Sequence, residues 1–305
     1  MKLSALQAFV AAINDGSLRK AAVRLGLSQP ALSKMLRELE VELGASLVVR
    51  STRGVIPTAQ GKVLYERASA ADRELTRAVE EIGQLGGRMV GELSIAAVPL
   101  AVMLVLPEAV RTFSQQFPEM RLRISEELYI AQLAYLRKGE ADVAIGPIPE
   151  GLAQGEYLVE PLLPIDMVVA VRKGHPQARC TRLAELSEAR WVYTGLSGAT
   201  GYARELFSRN GLPPPPVAAT VNSTLALLAL LGSGDFIGLM PAPLARHPVT
   251  SSYFDVVPLQ EGPLRLTLGV MVREEMAMSV MVRHFLSHLH RAAHHLGGMA
   301  GTATS

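Results

Sequence analysis

The chain has 305 residues, 49% of them apolar and only 5% aromatic, which allows two domains built on aliphatic cores. Formal charge is only +2, but residues 1–62 hold nine Lys or Arg against four Asp or Glu; the remainder is mildly acidic, so a polyanion partner belongs to the N-terminus alone. A single cysteine, Cys180, excludes an internal disulfide and suits a reducing, cytoplasmic setting, and no run of about 18 apolar residues offers a membrane span.

Leu3, Leu6, Phe9, Val10 and Ile13 recur at helical spacing. Gln7, Asn14 and Asp15 interrupt the apolar start, so it reads as a helix rather than a secretory leader. Asn14-Asp15-Gly16 stops it, and Ser17 caps a second helix with Ala21, Ala22 and Leu25 inward. Gly26-Leu27 makes a turn in which glycine permits positive φ. Ser28 caps a third helix with Pro30 in its first turn, and Leu32, Leu36, Leu39 and Leu43 are expected to face inward. Gln29, Ser33, Lys34 and Arg37 share the opposite face near the helix start, where a helix-turn-helix protein reaches base edges. Gln can bond adenine twice, and Lys or Arg can read guanine. Leu47-Val48-Val49 and the basic turn Arg50 to Val55 predict a two-stranded wing. Arg53 is placed for the minor groove or phosphates, and Arg50 and Thr58 flank it as further DNA candidates.

Thr58 can cap a long helix. Leu64, Ala68, Ala71, Leu75, Ala78, Ile82 and Leu85 follow at alternating steps of four and three, a heptad seam that predicts a dimer contact. Gly86-Gly87 ends it.

From Glu92 the pattern becomes β–α alternation. Strands are expected at 93–98, 120–127, 141–146, 167–171, 191–194, 217–221, 236–240 and 264–272. Helices are expected at 100–117, 130–138, about 200–210, 223–231 and about 278–296, with a disordered tail from Gly297. This predicts a largely parallel sheet with helices on both faces. Long strands near 156–173 and 264–272 would cross between two lobes and leave a ligand cleft at the strand ends. Its candidate lining is Val98, Pro99, Leu100, Leu128, Gly146, Pro147, Thr194, Gly195, Ser197, Thr200 and Phe236. Free amides at the helices near Leu100 and Thr200 would hold a carboxylate or sulfonate. Val98-Pro99-Leu100-Ala101 offers no hydroxyl, which leaves room for a more apolar ligand.

Gly16-Ser17, Ala21-Ala22, Leu27 to Ser33, Leu39-Glu40, Leu43-Gly44, Arg50, Arg53, Pro57-Thr58 and Gly61 resemble the N-terminal domain of LysR-type transcriptional regulators. Leu136 to Gly146, His175-Pro176 and Gly238 to Pro241 resemble the effector domain of that family, which is similar to periplasmic solute-binding proteins. Leu18 and Val48 depart from it where phenylalanine is common, without touching the outward face of the third helix. The resemblance implies a winged helix-turn-helix at 1–57, a linker and dimerisation helix at 58–90, and an α/β two-lobed, periplasmic-binding-protein-like effector domain at 91–305. Lobe I would hold about 91–162 and 268–305, lobe II about 163–267. It further implies double-stranded promoter or operator DNA as partner, met by Gln29, Pro30, Ser33, Lys34, Arg37 and Arg53. Antiparallel linker pairing, homotetramers, contact with RNA polymerase and control by a small organic acid, aromatic acids included, complete the expectation.

The sequence also bears on two other functions. A transport solute-binding protein shares the clamshell but has no use for residues 1–90, and no catalytic constellation supports an enzyme. His284 and His288 are spaced to share a metal, but a solvated helix end explains them and no metal or cofactor is assigned. Arg179 and Arg182 could lower the Cys180 pKa, yet a lone loop cysteine reads as inert.

Overall fold

The computed structural model describes residues 1–51, 54–127, 129–149, 151–152, 155–195 and 201–302. It divides into two compact units, Met1–Gly86 and Gly87–Ser305.

The first unit packs α1 (Leu3–Asn14), α2 (Leu18–Arg24) and α3 (Gln29–Leu43) around Phe9, Ala21, Leu32, Leu36 and Leu39. Ala8, Ala12, Ala21 and Ala22 are buried, and their small side chains let the helices cross closely. Leu25 and Leu43, expected inward, are 37% and 43% exposed. Leu25 follows the last residue of α2 and Leu43 ends α3, so the apolar stripe runs past the core at both points. The wing is an antiparallel pair, β1 (Val48–Ser51) and β2 (Gly54–Pro57). The Val55 amide donates to Gly16 O at 2.9 Å, tying the wing to the turn before α2.

Helix α4 (Ala59–Leu85) follows, its first turn capped by Thr58 Oγ1, which accepts from the Gly61 amide at 2.9 Å. At about 1.5 Å per residue it runs roughly 40 Å.

Among its described residues, the second unit is built on a nine-stranded sheet ordered β4-β3-β5-β11-β6-β9-β7-β8, with β10 paired to β6. The strands are β3 (Gly91–Ala97), β4 (Met120–Glu126), β5 (Val143–Pro147), β6 (Tyr157–Arg172), β7 (Arg190–Thr194), β8 (Val217–Val221), β9 (Phe236–Pro241), β10 (Phe254–Val256) and β11 (Leu264–Arg273). The helices are α5 (Pro99–Leu104), α6 (Leu106–Gln116), α7 (Tyr129–Arg137), α8 (Tyr202–Arg209), α9 (Thr224–Ser233), α10 (Ala242–Ala245) and α11 (Val280–Thr302).

Within each lobe the pairing is parallel: β3 with β4 and β5, and β7 with β8 and β9. The two long strands β6 and β11 run antiparallel to each other, and β11 meets β5 and β6 meets β9 and β10 in the same sense. The sheet is therefore mixed rather than largely parallel. A chain that crosses from one lobe to the other and returns must reverse direction between the two crossings. The register of β6 against β11 shifts between Leu268 and Gly269.

Three local expectations change. The helix expected over 100–117 is two helices that meet at Val105. Pro107 lacks the amide that would continue the ladder and sits in the first turn of α6, where no donor is needed. Helix α11 continues to Thr302, past the glycines expected to begin a disordered tail. Short elements absent from the sequence reading also appear: α10, β10 and two 3-10 turns at Leu183–Leu186 and Glu274–Met278. No helix among the described residues is long and apolar enough to cross a membrane.

Candidate nucleic-acid interface and effector pocket

The outward face of α3 is assembled by local chemistry. Ser17 Oγ accepts from the Lys20 amide at 3.4 Å and Ser28 Oγ from the Ala31 amide at 3.3 Å, so both helices begin on capped donors. Between them Gly26 takes φ +66°, a conformation open to glycine at little cost. Leu32, Leu36 and Leu39 then anchor one side of α3 in the core, which forces Gln29, Lys34 and Arg37 into solvent. Gln29, Pro30, Ser33 and Arg37 line one concave surface. Arg37 Nε donates to Ser33 O at 3.2 Å, holding the guanidinium along the helix, and Lys34 lies 3.8 Å from Glu38.

Thr58 has a structural duty: its hydroxyl donates to Ser46 O at 2.7 Å while capping α4. Arg50 lies on β1 opposite Val55; its side chain, like all of Arg53, lies outside the described residues. Sequence reasoning missed Glu40. Its Oε1 accepts from the Leu47 amide at 2.7 Å and the Val48 amide at 3.3 Å, so it holds the entry to the wing. The only signal for it was a carboxylate three residues before a helix end followed by a β-prone run.

The α4 seam divides in two. Leu64 and Ala68 pack into the head's own core, and Gln7 Nε2 donates to Asp72 Oδ1 at 2.8 Å, so the first turns of α4 are held by α1. Tyr65 OH also donates to Asn14 Oδ1. Beyond that, Ala71 and Ala78 are exposed, and so are Leu75 at 46%, Ile82 at 71% and Leu85 at 79%. Val79, not assigned to the seam, is exposed beside them.

In the second unit a cavity of about 100 Å³ lies where the strands of both lobes end. Val98, Pro99 and Leu100 follow β3, and Pro147 ends β5. From the other lobe come Thr194 at the end of β7, Pro241 at the end of β9, Leu239, Leu244, and Thr224 and Leu227 of α9. The crossing strands supply Ile165, Met167, Leu266 and Leu268, and Tyr202 of α8 completes the wall.

The structure thus brings together Val98, Pro99, Leu100, Pro147 and Thr194 of the sequence-based set. Leu128, Ser197 and Thr200 lie outside the described residues. Phe236 is not at the cavity: it opens β9, whose far end carries Pro241, and its ring meets the Arg190 guanidinium at 4.2 Å. The apolar run 236–240 marks a strand but not which of its ends faces the cavity. Gly195 is committed elsewhere, its amide donating to Val221 O at 2.9 Å. Gly146 lies behind the rim. A Cβ there would come within 2.3 Å of Gln132 Oε1, so glycine lets Gln132 approach. Gln132, fully buried and missed by sequence reasoning, donates through Nε2 to Ile145 O at 3.1 Å and Glu127 O at 3.3 Å. It braces the strand ends that present Val98 and Pro147.

The histidines near the C-terminus do not form a metal site among the described residues. His288 is buried with Nδ1 2.8 Å from Thr112 Oγ1 and Nε2 3.0 Å from Gln116 Oε1, and His284 stacks against Phe117. Burial, then the Arg291 and His284 charges, hold the His288 pKa below its ordinary value. The Cys180 thiol is pushed up, by burial first and then by Glu185, opposite to the effect expected of Arg179 and Arg182.

Comparison with known proteins agrees with this architecture. Residues 3–62 match the bacterial regulatory helix-turn-helix model of the lysR family, and residues 86–294 match the LysR substrate binding domain. The chain is 29% identical to the HTH-type transcriptional regulator TdcA of Escherichia coli K12, over 85% of this chain and 83% of that protein. It is 29% identical to the regulator GbpR of Azospirillum brasilense, over 96% of this chain and 87% of GbpR. Its fold is similar to that of full-length CbnR in a crystal with target DNA, at a TM-score of 0.70 and 23% identity, covering 96% of this chain and all of CbnR. A helix-turn-helix head and a substrate-binding body in one chain, each matched by its own model, make this protein a member of the LysR family of bacterial transcriptional regulators.

Proposed function

We propose that this chain regulates transcription in the cytoplasm by binding promoter DNA through α3 and that a small molecule between its lobes controls the binding. The observation that carries the reading is the division of α3: Leu32, Leu36 and Leu39 are locked in a core while Gln29, Ser33, Lys34 and Arg37 share the face turned away from it. That face can place hydrogen-bonding groups against base edges in the major groove. Arg50 and Arg53 of the wing then meet phosphates or the minor groove.

The functional division that fits best is a head at 1–57, a dimerisation helix at 58–90 and an effector domain at 91–305. The register shift at Leu268 supports lobe boundaries near 162 and 268. The exposed stretch from Ala71 to Leu85 supports pairing with a second copy, so that two heads engage two half-sites together. Tetramers and contact with RNA polymerase belong to the same proposed reading. Effector binding must favour one arrangement of the lobes to shift DNA affinity; equal affinity for both would shift nothing.

The test is titration of the full-length protein, at low ionic strength, onto duplexes taken from its own genomic neighbourhood. Tight, salt-sensitive binding to one fragment, lost in the Gln29→Ala, Arg37→Ala double variant, is expected. Indifference to every fragment sinks the reading.

A further inference from the structure

The wing is a ribbon of two short strands, and such a pair is marginally stable in water by itself. In this head it is held at both ends. At its root stands Glu40, a half-buried residue of α3. Its Oε1 accepts from the Leu47 and Val48 amides at 2.7 and 3.3 Å and from the Ser46 hydroxyl at 3.4 Å. Its backbone carbonyl accepts from the Ala45 amide at 3.1 Å. One residue of α3 therefore gathers the chain from Ala45 to Val48, where β1 begins. A carboxylate holds backbone amides more strongly than a neutral acceptor does. The returning strand is held at the same place. Thr58, just after β2, donates its amide to Leu47 O at 3.0 Å and its hydroxyl to Ser46 O at 2.7 Å.

The far end is held by close approach. Gly54, at the start of β2, has φ +108°, and a Cβ there would come within 2.3 Å of Gly16 O. Glycine lets the strand reach that carbonyl, and the Val55 amide donates to it at 2.9 Å. The wing is thus fixed to α3 on one side and to the turn before α2 on the other. Glu40 also follows Gln29 by eleven residues and Ser33 by seven, which returns it to the same stripe of the helix.

We propose that Glu40 and Gly54 are positioning residues for DNA binding. They set the wing against α3 before DNA arrives, so that helix and wing meet one duplex at a fixed separation and no wing has to be ordered on binding. This rests on the reading of α3 and the wing as the DNA interface.

The test uses the full-length protein and the genomic fragment that it binds. It reads hydroxyl-radical footprints, the salt dependence of affinity and thermal melting. Glu40→Ala and Gly54→Ala should each weaken binding about tenfold and lower the salt slope by about one to two. Each should also erase protection at the edge of the footprint and leave its centre. Glu40→Gln, which keeps an acceptor oxygen, should recover most of the loss. Gln29→Ala should weaken binding and keep the edge. If Glu40→Ala and Gly54→Ala lower only the melting temperature, and bind with full footprint and slope while folded, the positioning role is overturned and the interface reading stands. If the unaltered protein binds no fragment, the interface reading falls and takes the proposal with it. Hydrogen exchange on the unaltered, DNA-free protein needs no variant: the Leu47 and Val48 amides should already be protected. Exchange as fast as in an open chain, slowed only when DNA is added, overturns the proposal.

Discussion

The outward face of α3 and the wall of the interlobe cavity, proposed above as recognition surfaces, are made by opposite means. On α3, long polar side chains stand in solvent, and a buried leucine row holds them there. At the cavity, short apolar side chains from at least six separated segments close on a small space, and the charges of the crossing strands are turned outward. The first surface is built within three turns of one helix. The second exists only when strands distant in sequence end at one place. In the proposed function a polyanion in water meets the former and a small ligand enters the latter.

The largest effect that would sharpen this contrast lies outside both surfaces. Replacing Leu75 and Ile82 with Asp should split the proposed dimer and lower DNA affinity by about 10²- to 10⁴-fold, since the second head would no longer be tethered. Sedimentation matching the unaltered protein would reject the exposed part of α4 as a dimer seam. Next, Leu36→Ala in the tight head core should cost about 2–5 kcal/mol of stability, whereas Leu227→Ala, already beside a void, should cost about 2 kcal/mol. Thermal melting of the two variants compares them directly; equal losses would mean that the cavity wall is packed as closely as the head.

Gln29→Ala should cost about 1–3 kcal/mol at one base pair while leaving melting unchanged. Binding that weakens equally on all sequences would move Gln29 from reading bases to meeting phosphates.

The smallest effect concerns pH. His288, held below its ordinary pKa of about 6.5, binds its proton less readily in the folded state than in the unfolded one. The stability it contributes is present above that value and is lost as pH falls through it. His175, lowered chiefly by burial, acts in the same direction. Melting temperature should therefore drop from neutral pH toward about pH 5.5. His288→Gln, which keeps hydrogen-bonding groups near Thr112 and Gln116, should reduce that slope without removing it. A slope that does not change would assign the pH dependence to other groups.

Much of the head was readable because its determinants are neighbours in the chain. Ser28 caps donors three residues on, Gly26 turns where it stands, and the spacing of Leu32, Leu36 and Leu39 sets which way Gln29 and Arg37 point. Where the reading failed in the head, an element ended: Leu25 and Leu43 keep the helical period but pass beyond the core. In the second unit, strand positions were visible and their directions were not, so Phe236 was placed at the cavity when the other end of its strand is there. Leu227, Leu239 and Leu266 could not be distinguished from ordinary core leucines, because nothing local separates a side chain facing a void from one facing another side chain.

Amino-acid order alone determined the capped helices, the basic head and the heptad spacing of α4, since each depends on contacts spanning a few residues. Tertiary structure decided that the first turns of α4 belong to α1 and that Asp166 and Arg265 face away from the cavity. It also decided that Gln132 braces the rim. Those outcomes depend on which distant segments become neighbours, and that is settled by burial summed over the whole unit rather than by any local preference.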